Sequence, residues 1–305
     1  MDIILVAFGL AALLIGGDQL VRGAVGVAKR FGVSPLVIGL TLVGFGTSAP
    51  ELVTSLSAAL SGVPGIAIGN VVGSNTANIL LILGVAALIH PVTANMSAVS
   101  RDLFWVGGTA LLVALLAVLG EVGNSLGMVL LALLGVYLWQ AFRAAEPPSE
   151  DLSIPADPFS NAAIRFVIGL ALTIGGAIAL VDGATGIARG YGVPETVIGL
   201  TLVAVGTSLP ELATTAMAAR RGQSDVALGN ILGSGIFNIL GILGTTAIVV
   251  PLPIEPSMSR DIWVMLAATG LLLALLYTRA RISRASGAGF LLLYAGYMAY
   301  LSQTF

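Results

Sequence analysis

The chain has 305 residues, of which 57% are hydrophobic and only 9% are charged. Soluble proteins carry about 25% charged residues, so this composition cannot cover a water-facing surface and predicts an integral membrane protein. The net charge of −2 offers no basic surface for nucleic acid, and the lack of cysteine excludes disulfides and thiolate metal sites.

The apolar residues form runs of about 20 residues, the length that a helix needs to cross a bilayer. The first run has no basic segment before it and no small-residue cleavage site after it, so we interpret it as a span and not as a cleaved signal. The predicted fold is all-α, with ten transmembrane helices at about residues 3–28, 35–61, 66–89, 102–120, 124–142, 162–188, 195–219, 225–249, 261–278 and 286–303.

One polar segment divides these spans into two groups of five. Residues 144–160 are acidic and rich in proline, and they are too polar to enter lipid. We therefore predict a flexible connector here. It separates a first five-span repeat, residues 1–143, from a second five-span repeat, residues 161–305.

The two groups repeat each other in sequence. Residues 33–84 align with residues 193–244 at a constant offset of 160, and about 29 of the 52 aligned positions are identical. This similarity indicates an internal duplication. Because each half has an odd number of spans, the second half must enter the membrane from the opposite side, and we expect two inverted repeats.

Basic residues in the loops predict the orientation of the chain. On one side of the predicted topology only Arg189 and Arg260 are basic, and the other side should be cytoplasmic because it is rich in Lys and Arg. This places both termini outside the cell and the connector in the cytoplasm, in a protein of the cell membrane. The basic side holds Lys29, Arg30, Arg101, Arg143, Arg165, Arg220, Arg221, Arg279, Arg281 and Arg284.

Acidic residues inside the spans are the first candidates for function, because a charge there costs roughly 2.5–3.5 kcal/mol. Glu51 and Glu211 are equivalent in the repeat, and both follow the sequence Gly-Thr-Ser-x-Pro. Asp18 lies four residues before Arg22, and the simplest interpretation is a local ion pair. The four acidic residues within spans are Asp18, Glu51, Asp182 and Glu211.

The residues before each glutamate add further oxygen ligands. On a helix, Thr47 and Ser48 share one face with Glu51, because they precede it by four and three residues. Pro50 lacks an N–H group, so we expect it to kink this helix and to free the carbonyl of Gly46. The second half repeats the arrangement with Thr207, Ser208, Pro210 and Glu211.

The following span of each half supplies a hydroxyl and an amide. Ser74 and Asn78 are four residues apart on one helix face, as are Ser234 and Asn238. The collected ligands are all oxygens, which suits hard cations such as Ca²⁺ or Na⁺. It argues against Zn²⁺, Cu²⁺ and Ni²⁺, which favour nitrogen or sulfur.

Other polar residues have simpler interpretations. Asn70 and Asn230 extend the two polar stripes, and hydrogen bonding between helices is the alternative to a ligand role for them. Asp102 and Asp261 follow Ser-Arg at the start of predicted spans, where a carboxylate is a suitable helix cap.

The motifs GTSAPEL and GNVVGSNTANIL, repeated as GTSLPEL and GNILGSGIFNIL, resemble the paired α-repeats of the sodium/calcium exchanger family. This family belongs to the Ca²⁺:cation antiporter superfamily, and the resemblance covers nearly the whole chain. It implies an antiporter that extrudes Ca²⁺ by admitting Na⁺ at alternately exposed sites. It also implies that spans one and six move against a core formed by spans two, three, seven and eight.

The resemblance also implies an ion-ligand set, in which the backbone carbonyls of Gly44 and Ala204 join the side chains named above. Some prokaryotic relatives carry Asp at the position of Asn238, so this site would have two carboxylates and not three. Gly44 also departs from the Ala of its counterpart. The implied ligands are Gly44, Thr47, Ser48, Glu51, Ser74, Asn78, Ala204, Thr207, Ser208, Glu211, Ser234 and Asn238.

Three other functions stay open at this point. In a proton-coupled Ca²⁺ antiporter, the two glutamates would carry protons instead of Na⁺. A cation channel would need a continuous pore, usually with rings of filter groups from several subunits. An enzyme has little support, because no nucleophile or cofactor motif accompanies the glutamates. We expect no cofactor, no nucleic acid and no required protein partner.

Overall fold

The computed structural model describes residues 1–143, 159–192 and 204–303, without the side chains of residues 204 and 205. Almost all of the predicted connector lies outside the described residues, as does the start of the seventh predicted span. Apart from four strands of two residues each, the described elements are helices.

The first half contains six helices and two short strands. The second and third helices, α2 and α3, meet at Ser48 and are bent by 42° relative to each other. The elements are α1 (Asp2–Phe31), α2 (Pro35–Thr47), α3 (Ala49–Leu60), α4 (Gly65–Ile89), β1 (Val92–Thr93), α5 (Met96–Leu119), β2 (Glu121–Val122) and α6 (Asn124–Arg143).

The described part of the second half has the same order of elements. A 3-10 turn, Pro256–Met258, directly precedes the helix Ser259–Arg279. The elements are α7 (Phe159–Gly190), α8 (Ala204–Thr207), α9 (Leu209–Arg220), α10 (Ser224–Val249), β3 (Leu252–Pro253), α11 (Ser259–Arg279), β4 (Arg281–Ile282) and α12 (Arg284–Leu301).

Seven of the described helices are long and apolar enough to cross a membrane, and the bent pair of α2 and α3 gives an eighth if it forms one span. The seven are α1, α4, α5, α6, α7, α10 and α11. The 18-residue α12, our tenth predicted span, is not among them. The count of ten therefore stays a prediction.

The start of α5 corrects one of the capping predictions. The helix begins at Met96, six residues before the predicted start, because Asn95 caps it by accepting a hydrogen bond from the Ser97 N–H at 3.2 Å. Asp102 is therefore not a cap. It lies fully buried in the second turn, where its Oδ1 accepts a hydrogen bond from Arg101 at 2.9 Å.

The second capping prediction is wrong as well. Asp261 lies in the first turn of α11, but the N-cap position is Met258, and no side chain caps the helix. The carboxylate instead accepts a hydrogen bond from the Tyr297 hydroxyl at 2.7 Å, which links α11 to α12.

Helices α4 and α10 form the centre of the molecule, because most of their residues are buried on all sides. By contrast, α5 and α12 carry exposed apolar residues such as Leu111 and Leu292, which suit contact with lipid. A buried polar group on α4, α10 or the broken helices beside them is thus shielded from both water and lipid.

Helices α1 and α7 pack closely and antiparallel through glycine residues. A Cβ atom at Gly9 would lie 2.6 Å from the Leu180 amide nitrogen, and one at Gly16 would lie 2.7 Å from the Thr173 amide nitrogen. Only residues without a side chain let two helix backbones approach this closely.

Two short strand pairs, which the sequence analysis did not predict, join the halves at their loops. The antiparallel pair β1–β4 sets Val92 opposite Ile282, and the antiparallel pair β2–β3 sets Val122 opposite Leu252. The two pairs are equivalent under the offset of 160, since Val92 corresponds to Leu252 and Val122 to Ile282.

Candidate cation-binding site

Two equivalent serines interrupt the helices that carry the predicted glutamates. The backbone has φ −83° and ψ 6° at Ser48, between α2 and α3. Ser208 has φ −89° and ψ 6° between α8 and α9. Pro50 and Pro210 therefore lie in the first turn of a new helix, where the missing N–H group is tolerated. We had predicted a kink within one helix, and the structure has a break instead.

Each break sets a glutamate at a helix N-terminus. Glu51 lies in the first turn of α3 and Glu211 in the first turn of α9, and each is only 1% exposed. The N-terminal end of a helix carries a partial positive charge, which favours a carboxylate there. The glutamates are thus held inside the protein without a contact to water.

The serine hydroxyls reach across to the glutamate of the other half. Ser48 Oγ donates a hydrogen bond to Glu211 Oε1 at 2.9 Å, and Ser208 Oγ donates one to Glu51 Oε1 at 3.2 Å. This corrects our expectation that each serine lies beside its own glutamate, which assumed an unbroken helix. The crossed pair of hydrogen bonds brings both carboxylates into one site.

Four buried oxygen atoms of this region have no hydrogen-bond partner among the described residues. Two are carboxylate atoms, Glu51 Oε2 and Glu211 Oε2, and two are amide atoms, Asn78 Oδ1 and Asn238 Oδ1. A buried acceptor without a partner costs about 1–3 kcal/mol, and more if it is charged. A group of four such oxygens is the arrangement expected of a site that binds a cation.

The two asparagines begin stretches of π-helix. Asn78 starts the π-helical segment Asn78–Ile82 within α4, and Asn238 starts the segment Asn238–Leu243 within α10. Such turns occur often at functional sites, because the wider turn redirects the backbone and the side chains at its start. No signal in the sequence pattern predicted these segments.

Four further predicted ligands, Gly44, Thr47, Ser74 and Ser234, lie at the same place but are engaged with protein groups. Ser234 Oγ donates a hydrogen bond to the Gly44 carbonyl at 3.1 Å, and Ser208 Oγ lies 3.5 Å from Ser74 Oγ. Thr47 Oγ1 donates to the Val43 carbonyl at 3.0 Å. These oxygens keep lone pairs that could contact a cation.

The two remaining predicted ligands lie on α8. Thr207 ends α8 and directly precedes the break at Ser208. Ala204 is the first described residue of the same helix, and its side chain is not among the described ones.

Asn70 and Asn230 connect helices by hydrogen bonds, one of the two roles considered for them. Asn230 Nδ2 donates to Thr215 Oγ1 at 2.8 Å and to the Glu211 carbonyl at 3.4 Å. Asn70 Nδ2 donates to Ser55 Oγ at 3.0 Å and to the Glu51 carbonyl at 3.2 Å. Each asparagine thereby ties the helix that carries an amide ligand to the helix that carries a glutamate.

Asn75 is a residue of this site that the sequence analysis missed. Its Oδ1 accepts a hydrogen bond from Asn238 Nδ2 at 3.0 Å, and its Nδ2 donates to the Gly235 carbonyl at 3.2 Å. The internal repeat could not reveal it, because the equivalent position in the second half is Gly235 itself.

Comparison with known proteins decides the family. The model of a protein family described as "Sodium/calcium exchanger protein" matches residues 1–143 and 161–303. The chain belongs to the sodium/calcium exchanger family. This confirms the resemblance drawn from the duplicated motifs, and it makes the chain a multi-pass membrane protein of a cation/Ca²⁺ antiporter family.

Individual relatives match this chain over nearly its full length. The chain is 34% identical to the sodium/calcium exchanger MaX1 of Methanosarcina acetivorans, covering 99% of this chain and 98% of the relative. It is 38% identical to the inner membrane protein YrbG of Escherichia coli, covering 99% and 96%. A solved structure of the sodium-calcium exchanger NCX_Mj, soaked with zero Na⁺ and Ca²⁺, matches with a TM-score of 0.89 at 34% identity, covering 98% of each chain.

A cluster of charges links α1 of this exchanger-family chain to the end of α9. Arg22 Nε donates to Asp18 Oδ2 at 3.0 Å, which confirms the predicted local ion pair. Arg221, which follows α9, also pairs with Asp18. The sequence could not show this second partner, because Asp18 and Arg221 are distant along the chain.

A small cavity lies between α4, α5, α10 and α11. Its volume is about 20 Å³, and its polar lining comes from Asn75, Asn78, Thr109 and Thr269. This is room for about one water molecule. Of the two predicted amide ligands, Asn78 therefore borders a small polar space.

Proposed function

We propose that this chain exchanges Na⁺ for Ca²⁺ across the cell membrane and binds both ions at the site between Glu51 and Glu211. The observation that carries the proposal is the set of four buried, unpartnered oxygens from two carboxylates and two amides. Two carboxylates can balance one divalent ion, and several monovalent ions can share them. An oxygen-only site suits both ions.

We propose the twelve residues implied by the family as the ligand set of this site. Ca²⁺ takes 6–8 oxygens at 2.3–2.6 Å, and the four unpartnered oxygens provide only part of that number. The hydroxyls and backbone carbonyls would complete it. The proposed ligands are Gly44, Thr47, Ser48, Glu51, Ser74, Asn78, Ala204, Thr207, Ser208, Glu211, Ser234 and Asn238.

We further propose ten spans arranged as two inverted five-span repeats. In that topology the loop with β1 and the loop with β4 lie on one side of the membrane, and the loops with β2 and β3 lie on the other. The observed pairing of β1 with β4 and of β2 with β3 supports this arrangement. The crossed hydrogen bonds from Ser48 and Ser208, in which each half contacts the other in the same way, also support this relation between the two repeats.

Single cysteines in this cysteine-free chain test the topology. Glu121 and Arg281 are equivalent, exposed residues of β2 and β4. A membrane-impermeant thiol reagent should label Glu121→Cys only from outside the cell and Arg281→Cys only from the cytoplasm. Labelling of both from one side would overturn the inverted repeat, and exchanged sides would overturn only the orientation.

We propose that α1 and α7 move together against the core formed by spans two, three, seven and eight. This movement would expose the site to each side of the membrane in turn. Their close, glycine-lined contact supports movement as one body. In the present structure α1 packs on the core, since a Cβ at Gly17 would lie 3.0 Å from the Ala213 carbonyl oxygen. A second structure with opposite access and an unchanged position of α1 and α7 would refute this mechanism.

A proton-coupled Ca²⁺ antiporter is the second candidate. The unpartnered Oε2 atoms of Glu51 and Glu211 favour it, because each could take a proton in place of sharing Na⁺. We rank it second because the relative MaX1 carries the name of a sodium/calcium exchanger.

Purified protein in proteoliposomes decides between the two. We expect radiolabelled Ca²⁺ uptake to require Na⁺ inside the vesicles and to survive an ionophore that collapses the pH gradient. Uptake that needs a pH gradient and ignores Na⁺ would instead establish proton coupling. Because only this chain and lipid are present, the same experiment tests the proposal that no cofactor or protein partner is required.

A further inference from the structure

The amide of Asn238 is held in one orientation by a side chain outside the ligand set. An asparagine side chain presents an oxygen on one branch and an NH₂ group on the other. Only the oxygen can bind a cation, so the way this amide is turned decides whether Asn238 attracts or repels an ion. In the structure Asn238 Nδ2 donates to Asn75 Oδ1 at 3.0 Å, and Asn238 Oδ1 is buried without a partner.

Asn75 is itself fixed in the orientation that accepts this hydrogen bond. Its Nδ2 donates to the Gly235 carbonyl at 3.2 Å, so its Oδ1 must face Asn238. A flipped Asn75 would set an NH₂ group against the NH₂ group of Asn238 and would set its Oδ1 against a carbonyl oxygen. The two hydrogen bonds thus orient both amides together.

Only one of the two repeats has this pair of orienting hydrogen bonds. The residue equivalent to Asn75 is Gly235, which has no side chain to orient Asn78. A Cβ at Gly235 would be in van der Waals contact with Asn75 Oδ1, at 3.9 Å, so this glycine lies directly beside the amide of Asn75.

We propose that Asn75 is a positioning residue that turns the Asn238 oxygen toward the cation and so makes an amide, and not a carboxylate, the matching side chain at position 238. The inference rests on the proposed function and adds a residue that determines ligand geometry there. An aspartate at 238 would bring a carboxylate oxygen against Asn75 Oδ1, and both groups can only accept hydrogen bonds in this orientation.

A double-mutant cycle on the purified full-length chain tests the proposal, with Ca²⁺ and Na⁺ as the probes and titration calorimetry as the readout. In the wild-type background, Asn75→Leu should weaken Ca²⁺ binding about 3- to 10-fold, the factor that corresponds to the loss of one orienting hydrogen bond. In the Asn238→Asp background, Asn75→Leu should leave Ca²⁺ binding unchanged or make it tighter, because it removes an opposing oxygen. Asn75→Ala serves as the second variant if leucine prevents folding.

The sign of the effect separates positioning from packing. If Asn75 only packs between α4 and α10, its replacement should weaken binding by the same factor in both backgrounds, and that result would overturn the proposal. Thermal unfolding without ions measures the packing contribution separately. Absence of both Na⁺ and Ca²⁺ binding in the wild-type chain would overturn the proposed function together with this inference, whereas Ca²⁺ binding that Asn75→Leu weakens equally in both backgrounds overturns the inference alone.

Discussion

Replacement of Glu51 by glutamine gives the sharpest expectation for the cation site. Glu51 is 1% exposed, its Oε1 accepts a hydrogen bond from Ser208 at 3.2 Å, and its Oε2 has no partner. Glutamine keeps the shape and one oxygen acceptor but removes the charge. Loss of one partner from a buried charge pair costs about 3–5 kcal/mol, so we expect Ca²⁺ affinity to fall at least about 100-fold.

Calorimetric titration and thermal unfolding together measure this loss. Ca²⁺ should raise the melting temperature of the wild-type chain, because it binds only the folded state, and it should not raise that of Glu51→Gln. The matched control is Glu121→Gln, since Glu121 is an exposed glutamate of β2 and should behave like the wild type. Affinity of Glu51→Gln within a few-fold of the wild type would refute the reasoning, and so would a variant that unfolds without ions while the control does not.

Three further predictions concern the residues around the site. Gly169→Ala should lower the free energy of unfolding by about 1–3 kcal/mol in a thermal unfolding assay, because its Cβ would lie 2.7 Å from Leu20 Cα. The control variant Gly175→Ala has open space around its Cβ and should not lower the free energy of unfolding. Ser48→Ala should weaken Ca²⁺ binding about 3- to 10-fold in titration calorimetry by removing the hydrogen bond to the glutamate of the other half; a loss equal to that of Glu51→Gln would contradict a supporting role. Asn230→Leu should lower the free energy of unfolding by about 1–3 kcal/mol in denaturant titration, because it leaves buried groups of α9 without a donor, and a stable variant would contradict this account.

The sequence alone predicted most of the described helices and the equivalence of the two glutamates. Apolar runs give span lengths directly, and the internal duplication marks Glu51 and Glu211 as an equivalent pair. Most of the described helices begin and end within a few residues of the predicted bounds. The exception is α5, where Asn95 and not Asp102 starts the helix, because a capping residue among other polar residues cannot be chosen from the pattern.

The contacts inside the site could not be predicted from helix periodicity. The pattern set Ser48 and Glu51 on one face of one helix, but the helix breaks at Ser48, and the hydroxyl reaches Glu211 instead. The break depends on the surrounding structure, since proline is compatible with either a kink or a new helix start.

Contacts between distant parts of the chain could not be predicted from the sequence either. The strand pairs have only two residues each, too few for a periodic signal. The position equivalent to Asn75 in the second half is Gly235, so the repeat that marked the proposed ligands could not reveal Asn75. The pairing of Asp18 with Arg221 likewise depends on how α1 packs against α9.

The most direct test of the central claim is anomalous X-ray diffraction from crystals of the wild-type chain grown with Ca²⁺. We predict an anomalous peak between the glutamates, about 2.3–2.6 Å from Glu51 Oε2 and Glu211 Oε2, the two carboxylate oxygens that have no partner now. A fully occupied Ca²⁺ peak elsewhere in the membrane-spanning region, with this site empty, would contradict the assignment of Glu51 and Glu211 as the ligands of the transported ion.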